Sequence, residues 1–328
     1  MKENTKQFFK KFFLKIPVLK DYIRSHDFLF KAYLERHKEF GYAPGHYLSP
    51  IPDLQEVQNN AHKIFGNENI ADIEFNTQQQ FDLLQELTAY YSSVPYAFTQ
   101  NSKEIKNESL SKKSALRYDP TDAWYRYSDV IFLIAVMQHF KPKKVIEIGS
   151  GHSSAVMLDA NEIFFEQKIN LTFIEPFPRE RLNDVLKEDD RKSITIIENK
   201  VQEVDVSLFR SLEENDILFV DSTHVSKIGS DVNHIFFNIL PILKPGVLIH
   251  FHDIFYPFEL PANWIFGNKW FWNEVYILRA FLMNNADYKI VLFNSMLQKK
   301  FVSWFEKNMP DCLVGSEETG SIWVKKLR

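Results

Sequence analysis

The sequence predicts an α/β fold in which a parallel sheet is covered on both faces by helices, and three observations carry that prediction. Short runs that are apolar throughout recur between residues 145 and 324, segments with helical apolar spacing separate them, and polar or glycine residues close them. A strand that is apolar on both sides must be buried on both sides, which a helix-covered parallel sheet provides. With 328 residues, 45% of them hydrophobic and 25% charged, the chain has material for one large domain and an accessory region.

Taken in order, residues 1–115 read as an N-terminal accessory region, mainly helical with loops, and residues 116–328 as the main domain. Residues 1–24 carry seven Lys or Arg against Glu3 and Asp21. Phe8, Phe9, Phe12, Phe13 and Ile16 fall on one stripe of a basic helix that Pro17 ends, a face suited to the protein's own core, to a partner or to an anionic membrane surface. Residues 41–54, with two glycines and three prolines, read as an extended loop. Helices are expected over roughly 54–65 and 77–91, the second with Phe81, Leu84, Leu87 and Tyr91 in a stripe. The polar stretch 99–115 lacks periodicity and reads as the boundary. Ser128 is expected to cap a helix whose apolar positions are Val130, Ile131, Ile134, Met137 and Phe140, closed by Lys141-Pro142.

Strands are predicted at Val145 to Ile148, Leu171 to Ile174, Ile194 to Ile197, Ile217 to Val220, Val247 to Phe251, Tyr288 to Phe293 and Ser321 to Val324. Ser153-Ser154 opens a helix after the first. Ser230-Asp231 opens another, with Val232, Ile235, Phe236, Ile239 and Leu243 on its apolar side and Lys244-Pro245-Gly246 at its end. Residues 254–273 are crowded with aromatics and overhang the fifth strand's end as a lid-like wall, where Trp264, Trp270 or Trp272 can stack on a sugar, pack in the core or meet a second copy of the chain. Asn273 and Glu274 begin a helix that runs through Leu278 and Phe281.

Ligands in open α/β sheets sit at the carboxyl ends of the strands, so the residue after each strand is the one to inspect. After the first comes Gly149-Ser150-Gly151, after the second Glu175, after the third a loop reaching Gln202, after the fourth Asp221-Ser222-Thr223-His224, after the fifth His252-Asp253. A strand, a glycine turn and a helix N-terminus make a cradle that a polar ligand can approach closely. Glu175 is placed to accept both hydroxyls of a ribose. The dinucleotide fingerprint asks for a further glycine where Ser154 stands, which disfavours a nicotinamide cofactor. His224 and His252 are candidate bases because an imidazole titrates near neutrality. His250, two residues earlier on the strand, reads as a hydrogen-bonded interior histidine, and His234 on its helix carries no role.

The run VIEIGSGHSSAVMLD at 145–159, Glu175 within FIEP, FVDSTH, LKPG and the succession of seven strands resemble the class I S-adenosylmethionine-dependent methyltransferases. Asp221 to His224 with His252-Asp253, together with YLSPIPD and RYSD, resemble bacterial O-methyltransferase-like members associated with polysaccharide or natural-product biosynthesis. The resemblance implies a Rossmann-like fold, a seven-stranded mostly parallel sheet of order 3-2-1-4-5-7-6 with the seventh strand antiparallel. It implies a cofactor site of Glu147, Gly149, Ser150, Gly151, Ser154, Glu175, Gln202 and Asp221, with Glu147 near the amino group and Gln202 beside adenine. It implies catalytic groups at His224, His252 and Asp253. Asp221 and Asp253 would then end adjacent strands and could hold Mg²⁺ or another divalent ion, as in catechol and macrocin-type O-methyltransferases. Those enzymes carry a pair of acid or amide groups where this chain has His252-Asp253 followed by Ile254.

The reaction so implied is in-line transfer of a methyl group to a hydroxyl of a saccharide, a glycolipid precursor or another small molecule, helped by a His/Asp base or a metal. The alternatives are a nicotinamide-dependent oxidoreductase or epimerase, disfavoured also by the lack of a Tyr-x-x-x-Lys pair after the fourth strand, and a cofactor-binding scaffold without turnover. A net charge of −4 gives no reason to expect nucleic acid. One cysteine, Cys312, excludes an internal disulfide and suits a reducing compartment. No apolar run reaches the ~20 residues of a membrane span, and the opening residues do not read as a secretion signal. The expected location is the cytoplasm, with peripheral contact at the inner membrane face through residues 1–24. An oligomer is compatible with the sequence.

Overall fold

Residues 41–66, 68, 70–98, 116–121, 124–179, 181–315 and 319–328 are described by the computed structural model; the basic aromatic stretch 1–24 and the polar stretch 99–115 lie outside the described residues. The chain divides into two compact units between Ile64 and Phe65. That division falls ahead of the 115/116 boundary suggested by composition.

In the first unit, residues 41–52 form turns, as the prolines and glycines predict. Asp53, the last residue of YLSPIPD, accepts from the backbone N–H of Gln55 and Glu56 and so caps α1 (Leu54–Asn59). A break at Asn60 separates it from α2 (Ala61–Ile64), so the expected 54–65 helix is two short ones.

The second unit is built on a seven-stranded sheet of order β3-β2-β1-β4-β5-β7-β6. Its strands are β1 (Lys144–Ile148), β2 (Asn170–Ile174), β3 (Thr195–Ile197), β4 (Ile217–Val220), β5 (Leu248–His252), β6 (Tyr288–Phe293) and β7 (Ser321–Lys326). Pairing is parallel from β3 through β5, and β7 runs antiparallel to both β5 and β6. The strands fall where the apolar runs placed them, within one or two residues. Every residue of β4 and β5 is buried, which is why these runs show no polar alternation.

Helix α3 (Thr77–Leu87) belongs to this unit and explains where the division falls. Leu84 and Leu87 are fully buried. Buried Gln80 accepts the Phe293 N–H at 2.7 Å at the end of β6 and donates to the Phe75 carbonyl. Beyond Leu87 the chain tightens into a 3₁₀ stretch, Thr88–Ser93. Helix α4 (Tyr127–Phe140) is buried on all sides from Ser128 to Met137, more fully than a one-face stripe predicts. Ser128 does not cap it: Arg126 occupies the cap position, and the Ser128 hydroxyl donates to Thr319 Oγ1 at 3.0 Å. Helix α5 (His152–Phe165) follows β1, and α6 (Asp231–His234) follows β4, capped by Ser230 as expected and continuing through a π turn at Ile235–Ile239. Helices α7 (Glu274–Leu282), α8 (Asn294–Lys300) and α9 (Val302–Asn308) complete the layers. No helix among the described residues is long and apolar enough to cross a membrane.

Candidate active site

The sheet register assembles the site before any side chain is considered. Ile148 pairs with Ile174 and with Val220, and Val220 pairs with Phe251. The residues one step further, Gly149, Glu175, Asp221 and His252, therefore stand in a row at the carboxyl rim. Backbone hydrogen bonds carry the ladder into that row, with Gly149 N–H donating to Ile174 O at 3.0 Å and Asp221 N–H to Ile148 O at 2.9 Å.

Gly149 has φ +82°, and a Cβ on it would lie 1.8 Å from the Asp221 carbonyl oxygen, so the close packing of β1 against β4 requires glycine there. Gly151 is different. Its φ is 179°, and among the described residues a Cβ would meet only the Arg181 side chain, Cβ at 3.4 Å and Cδ at 3.6 Å. Among the described residues no contact tighter than ordinary packing opposes a Cβ at 151, which leaves its face to an approaching ligand. Between them the buried hydroxyl of Ser150 has no hydrogen-bond partner among the described residues. Ser154 holds the turn by accepting the Gly151 N–H at 2.9 Å.

Glu147, fully buried, accepts from the Ser153 hydroxyl at 2.5 Å and from the Ser154 hydroxyl. Burial raises its carboxyl to about 8, against the lowering effect of the two hydroxyls. Glu175 accepts the Ser150 N–H of the glycine turn at 3.2 Å and, locally, the Phe177 N–H at 2.8 Å. Gln202 lies in a 3₁₀ turn after β3 and donates to the Gly229 carbonyl at 2.8 Å, which ties it to the loop after β4. A buried acid, an orphaned hydroxyl, a glycine face without internal cause and a rim carboxylate fit the ammonium, the methionyl chain and the ribose of S-adenosylmethionine.

Beside the turn, Asp221, His224, His252 and Asp253 form one cluster whose nearest donor atoms all lie within 4.8 Å of one another. His224 Nε2 is 3.3 Å from Asp221 Oδ1 and 3.4 Å from Asp253 Oδ2. His252 Nδ1 is 3.2 Å from Asp221 Oδ1 and 3.6 Å from Asp253 Oδ1. His224 and Asp253 both sit in the left-handed region, φ +58° and +56°, a conformation that the surrounding structure must impose. Burial disfavours the charged imidazole of His224, but Asp221, Glu274 and Asp253 outweigh it and raise the ring to about 10; His252 is likewise raised well above its ordinary value against the effect of burial, by Asp253 and Asp221. In this arrangement neither imidazole titrates near neutrality, so the sequence argument for free bases does not carry over. Burial raises Asp253, with the two histidines opposing, whereas Asp221 is lowered because the histidines overcome its desolvation.

Two buried carboxylates behind the cluster have no counterpart among the predicted catalytic residues. Glu274, at the start of α7, takes His224 Nδ1 at 2.8 Å. Asp129 in α4 lies 3.6 Å from His252 Nε2 and is itself fixed by Asn294 at 2.8 Å and Ser321 at 2.6 Å. The only sequence signals were the RYSD motif and the polar opening of α7. Tyr125 closes the same wall, its ring 4.9 Å from that of His252 and its hydroxyl donating to the Asp129 carbonyl at 2.9 Å. His250 is interior as predicted, but its ring nitrogens have no hydrogen-bond partner among the described residues; the ring stacks on Phe219 at 3.9 Å and 9°, and burial holds it well below its ordinary value.

The segment 254–273 reaches the cluster through Trp272, whose ring is 4.8 Å from that of His224. Trp270 stacks on Trp272 at 4.8 Å and 7°, and Trp264 meets both edge-on. Trp264 is only 8% exposed and packs on Phe255 at 5.0 Å, which makes it the foundation of this wall rather than its surface. Asn273 clamps the loop after β4, accepting the Ser226 N–H at 2.5 Å and donating to the Ser226 carbonyl at 3.1 Å.

Residues 146–254 match a family described as a methyltransferase domain. An uncharacterized protein of Archaeoglobus fulgidus is 31% identical over 181 residues, which span 54% of this chain and 76% of that protein. Among solved structures, the O-methyltransferase TomG of Streptomyces achromogenes, involved in tomaymycin synthesis and in complex with SAM, is 12% identical with a TM-score of 0.42, covering 74% of this chain and 96% of that one. The SAH-bound Podospora anserina methyltransferase PaMTH1 is 15% identical with a TM-score of 0.40, covering 85% and 99%. Likenesses this distant bear on neither substrate nor chemistry.

Proposed function

The chain belongs to the family of its archaeal relative, with a methyltransferase domain at its centre, and from that premise we propose that it moves the methyl group of S-adenosylmethionine to a hydroxyl oxygen of a small molecule. One observation carries the reading: the Gly149 turn abuts the Asp221 carbonyl, so the glycine turn and the Asp221–His224–His252–Asp253 cluster adjoin on one rim of the sheet. A cofactor on the cradle would direct its sulfonium methyl at an acceptor resting on the cluster. As the C–O bond forms and the C–S bond breaks, the hydroxyl proton passes to the cluster and S-adenosylhomocysteine leaves. Asp253, half-buried and with its carboxyl raised, is the carboxylate suited to take that proton.

The acceptor class we favour is a saccharide or glycolipid precursor, of the kind met in polysaccharide biosynthesis. Support comes from half-buried Trp272 beside His224 and the half-buried Trp270 stacked on it, since aromatic faces stack on sugar rings. The basic aromatic stretch 1–24 would suit a lipid-linked acceptor at the inner membrane face. A nicotinamide-dependent reading has no comparable support. Incubation with S-adenosylmethionine and candidate acceptors, followed by mass spectrometry, tests the proposal: a 14 Da gain on an acceptor oxygen is expected, and cofactor binding without any methylated product would leave only a scaffold.

A further inference from the structure

We propose that Trp124 and Arg181 continue the aromatic wall into an acceptor subsite that selects acidic saccharides. Trp124 receives a sugar face, and the Arg181 guanidinium receives a carboxylate or phosphate carried by that sugar or by the one joined to it. The proposal names the acceptor class of the methyl-transfer reading and rests on that reading for the reaction itself.

The wall does not end at Trp270. Trp124, just ahead of α4, has its ring centroid 6.3 Å from that of Trp270, with 32° between the planes. Its backbone N–H donates to Nδ1 of His152, the first residue of α5, at 3.3 Å. The Arg181 guanidinium lies 5.5 Å from the centroid of the Trp124 ring. The stem of Arg181 flanks Gly151, its Cβ and Cδ 3.4 and 3.6 Å from where a Cβ on that glycine would stand. His224, Trp272, Trp270, Trp124 and Arg181 thus follow one another in steps of 4.8, 4.8, 6.3 and 5.5 Å. The row leaves the polar cluster at His224 and comes back to the glycine turn at Arg181, so it borders the ground where cofactor and acceptor meet.

What the row is made of names the ligand. Trp124 is 63% exposed, against 8% for Trp264 beneath the wall, so its ring is offered to solvent rather than spent on the core. Arg181 is exposed as well, and among the described residues its guanidinium makes neither an ion pair nor a hydrogen bond. Arg117 shows the contrast, since Asp159, Glu162 and Asp190 all pair with it. A guanidinium resting on an aromatic ring uses its face and keeps its in-plane N–H donors for an anion, which it can take two at a time. Aromatic rings offer sugars a face to stack on. The charges at the two ends of the row give the acceptor a direction. Asp221 and Asp253 repel an anionic group from the cluster, and Arg181 attracts it, which leaves a neutral hydroxyl to face the cluster.

The test titrates the full chain, with and without saturating S-adenosylhomocysteine, and follows tryptophan fluorescence at about 0.15 M salt. The probes are methyl β-glucuronide, glucose 1-phosphate and neutral methyl β-glucoside, the two acidic arms telling carboxylate from phosphate. At least one acidic probe should bind about 5- to 10-fold more tightly than the neutral one, a bidentate contact discounted for its exposure. Arg181→Gln should bring the acidic probes down to the neutral level, and Arg181→Lys should restore part of the preference. Trp124→Ala should weaken acidic and neutral probes alike in a protein that melts as wild type does. S-adenosylhomocysteine affinity should be the same in Arg181→Gln as in wild type. Equal binding of acidic and neutral probes, no binding of any, or a preference that survives in Arg181→Gln would overturn the inference. So would a loss of S-adenosylhomocysteine affinity in that variant, which would assign Arg181 to the cofactor's own carboxylate. Failure of S-adenosylhomocysteine to bind beside an intact acidic preference would sink the methyl-transfer reading alone, and its binding without any acidic preference would sink this inference alone.

Discussion

Two glycines two residues apart make opposite predictions. Gly149→Ala drives a Cβ to 1.8 Å from a backbone oxygen at a positive φ, a conflict no rotamer relieves. We expect it to cost about 3 kcal/mol or more, read as a large fall in melting temperature. Gly151→Ala, in extended backbone with ordinary contacts, should stay within about 0.5 kcal/mol of wild type yet weaken S-adenosylhomocysteine at least tenfold in calorimetry. Wild-type affinity in that variant would remove Gly151 from the cradle. Glu147 supplies the pH signature. Its carboxyl, ordinarily near 4.5, titrates in the folded protein at about 8. Its contribution to stability is therefore full below the ordinary value and is lost as pH rises through about 8. The melting temperature of Glu147→Gln relative to wild type should climb between pH 6 and pH 9. If Glu147 meets the ammonium of the cofactor, wild-type affinity rises toward pH 8, while the variant binds about 10- to 100-fold more weakly at that pH with a flat profile. A parallel profile in the two proteins would place the ammonium elsewhere. The glycine turn, Glu147, Glu175 and the Asp and His residues were legible because each follows or sits within a strand that composition alone identifies. The protonation of the two histidines was not, since it is set by burial and by Asp221 and Asp253, with Glu274 and Asp129 from α7 and α4 adding to them, a grouping made only by folding.

At the scale of elements, the aromatic segment after β5 has two parts with different duties. Trp264 is buried under the wall, so Trp264→Ala should destabilise the protein by about 3–5 kcal/mol through the cavity it leaves. Trp272 is half-buried against His224, and Trp272→Ala should leave a well-folded protein whose acceptor KM rises severalfold while S-adenosylhomocysteine binding is unchanged. An unaltered KM would assign the segment to packing. Strands were read almost to the residue because β4 and β5 are apolar along their whole length. Helix ends were read less well. Ser128 is a good capping residue by type, yet its hydroxyl is spent on Thr319 across 191 positions of sequence, a partner no local pattern reveals.

For the molecule as a whole, the sheet order brings β1, β4 and β5 side by side, and that adjacency places the glycine turn next to the polar cluster. The division at Ile64–Phe65 was not legible, because the packing of α3 on β6 joins parts of the chain that composition separates. The basic aromatic residues 1–24 carry a prediction of their own. Deleting residues 1–20 should reduce sedimentation with anionic vesicles and leave S-adenosylhomocysteine affinity intact; unchanged sedimentation would end the membrane proposal. The account stands most directly on the identity of the cofactor. Calorimetric titration of the full chain with S-adenosylhomocysteine and, separately, with NAD is expected to give one site for the first and no heat for the second. Saturable binding of NAD with none of S-adenosylhomocysteine would contradict it.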